Sequence, residues 1–154
     1  MQNSKAILAC ASFIAGFYLG GKSLVGMINK QKDESMRNRR NMELLSKWLD
    51  ALYDGWNVDK FFEKNNYKNI LIYGNGLIGQ KLYKALNTAN INVVAIMDKQ
   101  VRGNAEGILI GADSNIPYAD CIVITPICYY NQIYCSVRDK TNIPIVSVED
   151  IFNM

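Results

Sequence analysis

The 154-residue chain contains no histidine. The usual general base of enzymes is therefore missing, and so is the commonest zinc ligand. Its four cysteines, Cys10, Cys121, Cys128 and Cys135, include no C-x-x-C pair. No metal site is expected from them, and buried, reduced thiols in a reducing compartment are the plainer reading. A strong charge of one sign is also lacking. A net charge of +3 is too small to argue for a nucleic-acid partner. The Tyr-x-x-x-Lys pair that a short-chain dehydrogenase would need downstream has one match, Tyr18 to Lys22, inside an apolar N-terminal run. Asp98, Asp113, Asp120 and Glu149 are able to titrate, but nothing in their spacing pairs them, so no catalytic residue is assigned. Hydrophobic residues at 49% and charged residues at 20% still permit an ordinary globular core. Frequent Lys, Asn and Ile point to an AT-rich bacterial genome.

What the chain does have is concentrated in Asn69–Asp98, NILIYGNGLIGQKLYKALNTANINVVAIMD. The apolar run Ile70–Tyr73 leads into Gly74-Asn75-Gly76-Leu77-Ile78-Gly79, a G-x-G-x-x-G that opens a helical pattern. A second apolar run, Val93–Met97, ends in Asp98, 19 residues after Gly79. Strand, glycine turn, helix, strand and acid in this order form the dinucleotide-binding fingerprint. Gly74 is expected to make the sharp turn. Gly76 would let a phosphate pair approach the backbone, and Gly79 would let helix and sheet pack closely. The helix N-terminus, with the N–H groups of Leu77 and Ile78, would face the phosphates, and Asp98 the ribose.

The remaining pattern extends this unit. Gly107–Ile110 reads as a short strand and Asp120–Ile124 as a stronger one ending at Thr125-Pro126. Ile127–Asp139 reads as a helix, Pro144–Val148 as a last strand and Glu149–Phe152 as a terminal turn. Strands alternating with helices predict a small α/β, doubly wound parallel sheet of about five strands, Rossmann-like, in the order 3-2-1-4-5. A ligand would then sit outside the C-terminal strand ends, near Gly74–Gly79, Asp98 and Thr125. Tyr129, Tyr130 and Tyr134 fall at that edge and are expected mainly to pack. The 87 residues from Lys68 leave no room for a separate substrate domain.

The N-terminal third is different. Ala6–Gly21 carries no charge, and through Ile28 the run would span about 34 Å as a helix, enough for a hydrocarbon core of about 30 Å. Lys22 would have to snorkel or face protein. A cleaved signal peptide, a lipoprotein reading of Cys10 and a core or partner-docking helix are weaker alternatives, since no A-x-A-like site follows the run and the stretch before Cys10 is short. Lys22, Lys30, Lys32, Arg37, Arg39 and Arg40 follow the run and Lys5 alone precedes it. The positive-inside rule therefore puts the C-terminal domain in the cytoplasm of a single-pass bacterial membrane protein. Ser12, Gly16 and Gly20 offer a small-residue face for a helix partner. Lys30–Arg40 has no Pro or Gly to stop a helix, and its basic residues suit anionic headgroups. Met42, Leu45, Leu49, Leu52 and Tyr53 then form an apolar stripe beside Trp48, expected to pack on the sheet or on a second copy. Asp54-Gly55 should end that helix, and Asn57 should cap a short one over Val58–Lys64. The expected organisation is an anchor helix at 1–29, a helical connector at 30–66 and a nucleotide-binding domain at 67–154.

Residues 68–154 resemble the nucleotide-sugar-binding N-terminal domain of sugar O- and N-acyltransferases, a Rossmann module of bacterial surface-polysaccharide biosynthesis. The segments that carry the likeness are ILIYGNGLIGQKLYKAL, VVAIMDK, DCIVIT and IPIVSVEDIF. The resemblance implies that Gly74, Gly76, Gly79 and Asp98 contact a nucleotide. That family's glycine turn carries a histidine and is followed by a hexapeptide-repeat domain, neither of which is matched in this sequence, so the resemblance implies binding and not acyl transfer. The ligand expected is a nucleotide-sugar or NAD, with NADP disfavoured by Asp98 although Lys99 and Arg102 stand nearby. The partners expected are a second copy or a membrane-bound glycan-assembly enzyme. Rival readings are a small NAD-dependent oxidoreductase or epimerase-like enzyme, a nucleotide-sensing subunit of a membrane transporter (potassium-channel regulatory domains share the glycine turn) and a structural membrane adaptor.

Overall fold

The structure, a computed structural model, describes residues 2–89, 91–101 and 107–152, with side chains from Leu24 onward. Helix α1 runs without a break over Gln2–Tyr53. The uncharged run at 6–21 belongs to the part whose side chains lie outside the described residues. Among the described residues no helix is long and apolar enough to cross a membrane. The chain divides into two compact units at Arg39/Arg40. In the first, Leu24, Val25, Met27, Ile28 and Met36 are exposed. The second holds the fold.

In that second unit α1 ends as its sequence demands. Gly55 adopts φ +74°, a left-handed conformation that costs glycine little. The Gly55 N–H donates to the Leu52 carbonyl and the Trp56 N–H to that of Ala51, a Schellman closure. Helix α2 (Asp59–Lys64) follows. Its N-cap position is Val58 and no side chain caps it. Asn57, expected to cap it through its side chain, instead offers its backbone carbonyl to Lys60 N at 3.2 Å.

Strands β1 (Asn69–Tyr73), β2 (Asn92–Asp98), β3 (Leu109–Gly111), β4 (Cys121–Ile124) and β5 (Ile145–Ser147) form one sheet in the order β3-β2-β1-β4-β5. Every pairing is parallel. This is the expected order; β1 and β2 run slightly beyond the expected apolar runs, and the ends of the other strands shift by a residue or two. The expected helix after β4 starts as a 3-10 turn, Ile127–Tyr129, before α4 (Tyr130–Arg138). A second 3-10 turn, Val148–Ile151, is capped by Ser147 and Asp150 in a reciprocal box.

Helices cover both faces of the sheet. Ile70 and Ile72 of β1 point to one face and join Leu82 and Leu86 of α3 (Leu77–Thr88), with Leu44 and Trp48 of α1 and Phe62 of α2. Leu71 and Tyr73 point to the other and meet Ile133 and Val137 of α4. A central strand buried on both sides reads as a continuous apolar run, which is why β1 shows no polar alternation. Trp48 and Trp56 both pack on Phe152, with ring centroids at 5.0 and 5.6 Å.

Of the two places expected for the stripe on α1, the sheet is corrected. Leu44 and Trp48 face the sheet and Leu45 is half-buried, whereas Met42, Leu49, Leu52 and Tyr53 are exposed. The cysteines are corrected in part: Cys121 is buried, but Cys128 and Cys135 are exposed. The two inward positions of α4 belong to Ile133 and Val137. Cys10 lies outside the residues whose side chains are described.

Candidate functional site

The strand order reverses between β1 and β4, because β2 and β3 extend to one side and β5 to the other. In open α/β sheets the crevice at such a switch point, outside the C-terminal strand ends, is where ligands bind. The segment that leaves β1 there is Gly74-Asn75-Gly76, and α3 begins at Leu77.

The three glycines stand in different surroundings. Gly74 turns at φ +113°, and a Cβ there would lie 2.5 Å from Thr125 Oγ1 and 2.8 Å from Pro126 Cδ. A Cβ on Gly79 would lie 1.9 Å from the Gly74 carbonyl oxygen. The first turn of α3 therefore rests on the backbone of the turn, the close packing expected of the third glycine. Gly76 is unlike both. Its φ of −81° and ψ of −170° suit any residue, and a Cβ there would meet nothing within 4 Å. Neither packing nor backbone conformation demands a glycine at this position.

Gly76 is also the N-cap of α3, and among the described residues no side chain bonds that helix end. The first bond that closes the helix runs from Gln80 N to the Gly76 carbonyl at 3.0 Å. The N–H groups of Leu77, Ile78 and Gly79 are thus left over at a positive helix end, beside the open space at Gly76. The side chain of Leu77 is exposed and that of Ile78 is buried in the core, so Ile78 faces the crevice with its backbone alone.

Asp98 ends β2 beside this turn. Its Oδ2 accepts from the Asn75 N–H at 2.6 Å and its Oδ1 from the Gln100 N–H at 2.9 Å. Both oxygens keep a free lone pair for another donor. The Asn75 side-chain oxygen accepts from Gln80 Nε2, so the turn is tied to β2 and to α3. Thr125 is buried. Its hydroxyl lies 3.1 Å from the Tyr73 carbonyl and 3.3 Å from that of Gly74. It is placed beneath the turn and its hydroxyl holds the turn's backbone, a supporting position that its place after β4 does not reveal. Burial raises the Tyr73 phenol above its ordinary value, and the charges of Asp98 and then Asp113 raise it further. Arg102 lies outside the described residues. Asn75, Gln80 and Asp98 form a linked set that sequence spacing gives only as separate letters.

Of the other candidate acids, Asp113 lies near enough to Tyr73 for its charge to act on that phenol, and the rest are elsewhere. Asp120 sits at the opposite end of the sheet. Its Oδ2 accepts from the N–H groups of Lys68 and Asn69 at 2.9 and 2.8 Å, and its Oδ1 from the Tyr118 hydroxyl. The Asn69 and Lys68 backbone bonds hold its pKa below the ordinary carboxylate value. Glu149 and Asp150 belong to the C-terminal turn. Tyr130 and Tyr134 stack at 5.8 Å with Arg138 over Tyr134, a packed group, while Tyr129 is exposed. Burial, and then the charge of Asp120, pushes the Cys121 thiol up to about 12. Among the described residues no three His, Cys, Asp or Glu side chains are grouped to hold a metal ion.

No protein-family model matches this chain, and no curated protein or solved structure is significantly similar to it.

Proposed function

We propose that this chain is a nucleotide-binding protein, anchored in the bacterial cytoplasmic membrane through residues 6–28 with its α/β domain in the cytoplasm. It serves as an accessory or regulatory subunit of surface-polysaccharide assembly, and its ligand is a nucleotide-sugar or NAD. The observation that carries the binding reading is Gly76. It is a glycine that the fold does not require, at an uncapped helix end, with open space where its side chain would stand. A pyrophosphate needs that space and those N–H groups. Asp98, at the end of β2 and bonded to the same turn, suits the hydroxyls of a ribose. The anchor reading rests on the length of the apolar run and its basic C-terminal flank.

Calorimetry of the purified chain against UDP-sugars, NAD+ and NADH tests the ligand. One of them should bind, and Gly76→Val should abolish that binding. If none binds the parent protein, the adaptor reading replaces this one, and turnover of NADH with a sugar nucleotide would make the chain an enzyme. Alkaline carbonate washing of membranes tests the anchor: the chain should stay in the pellet, and its release intact would refute the topology.

A further inference from the structure

At about 100° per residue, the apolar residues of α1 between Met42 and Tyr53 cover an arc of about 200°. The charged residues Glu43, Lys47 and Asp50 share the remaining arc. The sheet takes only the half that carries Leu44 and Trp48. The other half presents Met42, Leu45, Leu49 and Leu52, whose spacing of 3, 4 and 3 is the a-d-a-d seam of a coiled coil. Met42 is 67% exposed, Leu49 53% and Leu52 45%. Beside this seam lies a groove of about 640 Å³ between α1 and α3. Its floor includes Trp48 and Val58, and its far wall carries the small residues Ala85 and Ala89, with Lys81 at the rim. Small residues on that wall allow a second helix to come close.

We infer that this surface is the contact between two copies of the chain, each laying the seam of its α1 against the α1–α3 groove of the other. Self-complementarity favours a second copy over an unrelated partner. Leu45, Leu49 and Leu52 belong to the seam and also line the groove, so a two-fold axis that buries one seam buries both, and the contact closes as a dimer. Charge agrees. On such an axis the exposed arc of α1 beyond the seam, which carries Tyr53 and then Asp50, turns toward α3 of the other copy, where Lys81 stands. Neither Asp50 nor Lys81 has an ion-pair partner among the described residues. The inference does not depend on nucleotide binding at Gly76.

Sedimentation of the whole chain in mild detergent tests it. The parent chain should be a dimer. Leu49→Glu combined with Leu52→Glu should raise the dimer dissociation constant at least about a hundredfold, as loss of a central apolar contact does, with the thermal midpoint of the domain retained because both positions are half exposed already. Asp50→Lys and Lys81→Asp should each weaken the dimer several-fold, and the two together should restore it. A monomeric parent overturns the inference. So does a dimer that survives the double glutamate change, which would place the contact in the N-terminal run, and so does a charge swap without rescue.

Discussion

Gly76 and Gly79 are three residues apart in one motif, yet the structure requires opposite outcomes when each gains a side chain. A Cβ at position 79 would lie 1.9 Å from the Gly74 carbonyl oxygen. Ordinary C···O contact begins near 3.3 Å, so α3 would have to retreat by about 1.4 Å. The obstacle is backbone that Thr125 holds from below, so the cost belongs at the upper end of overpacking, about 3 kcal/mol. The better helix propensity of alanine returns up to about 1 kcal/mol. Gly79→Ala should therefore destabilise the domain by about 2 kcal/mol or more, roughly 8 °C in Tm for a unit of this size. Gly76→Ser meets open space at an allowed backbone conformation. Serine is a better N-cap than glycine by a few tenths of a kcal/mol, and it narrows the unfolded ensemble. The domain should keep or slightly raise its stability. Under the proposed function the same serine fills the phosphate's place and takes its N–H donors. Loss of two charge-assisted bonds, about 3 kcal/mol or more, raises Kd by over about a hundredfold. Urea titration and calorimetry on both variants supply the readouts. If Gly76→Ser unfolds as readily as Gly79→Ala, the open space at Gly76 is wrong. If it binds ligand like the parent, no phosphate sits there.

Three further outcomes are expected. Asp120 accepts backbone N–H bonds in the fold that it lacks when unfolded, so its pKa is lower in the folded state. Its stabilising effect is complete above the unfolded value of about 3.9 and fades as pH falls through the folded one. Asp120→Asn should thus lower the urea midpoint at pH 7, and the gap to the parent should close below about pH 4; a gap of constant size would refute the latch. Ellman's reagent should modify Cys128 and Cys135 quickly in the folded protein and Cys121 only after unfolding, because burial holds that thiol protonated; peptide mapping that finds Cys121 labelled early contradicts the buried β4. Phe62→Ala should cost about 3–5 kcal/mol by urea titration, since Phe62 is fully buried against the sheet; a loss below 1 kcal/mol would mean that α2 does not belong to the core.

The sheet was legible because its signals are local. Apolar runs buried on both faces, punctuated by glycine and proline, fix which strands are interior, and the fingerprint fixes how β1, α3 and β2 connect. The inward face of α1 was not legible. Its apolar arc is so wide that periodicity alone cannot say which half meets the sheet, and the sheet meets Leu44 and Trp48 instead of the Met42–Leu49–Leu52 row. The exposure of Cys135 was hidden for a similar reason, since α4 is only 9 residues long and Ile133 and Val137 already occupy its inward positions, while Cys128 falls in the 3-10 turn before α4, which buries none of its residues. At the site, the spacing of Gly74, Gly76, Gly79 and Asp98 was legible, but the bond from Asn75 to Asp98 was not. That bond joins residues 23 apart and exists only once β1 and β2 lie side by side.

The same bond gives the site a thermodynamic property. Asp98 holds the Asn75 N–H, one residue before Gly76. Under the proposed function, a sugar hydroxyl takes a lone pair that Asp98 still has free, and the bond to Asn75 stays as it is. The carboxylate is then held by β2 and by the turn before any ligand arrives. The freedom lost in fixing that side chain is charged to folding and not to binding, so the site is pre-organised on the sugar side.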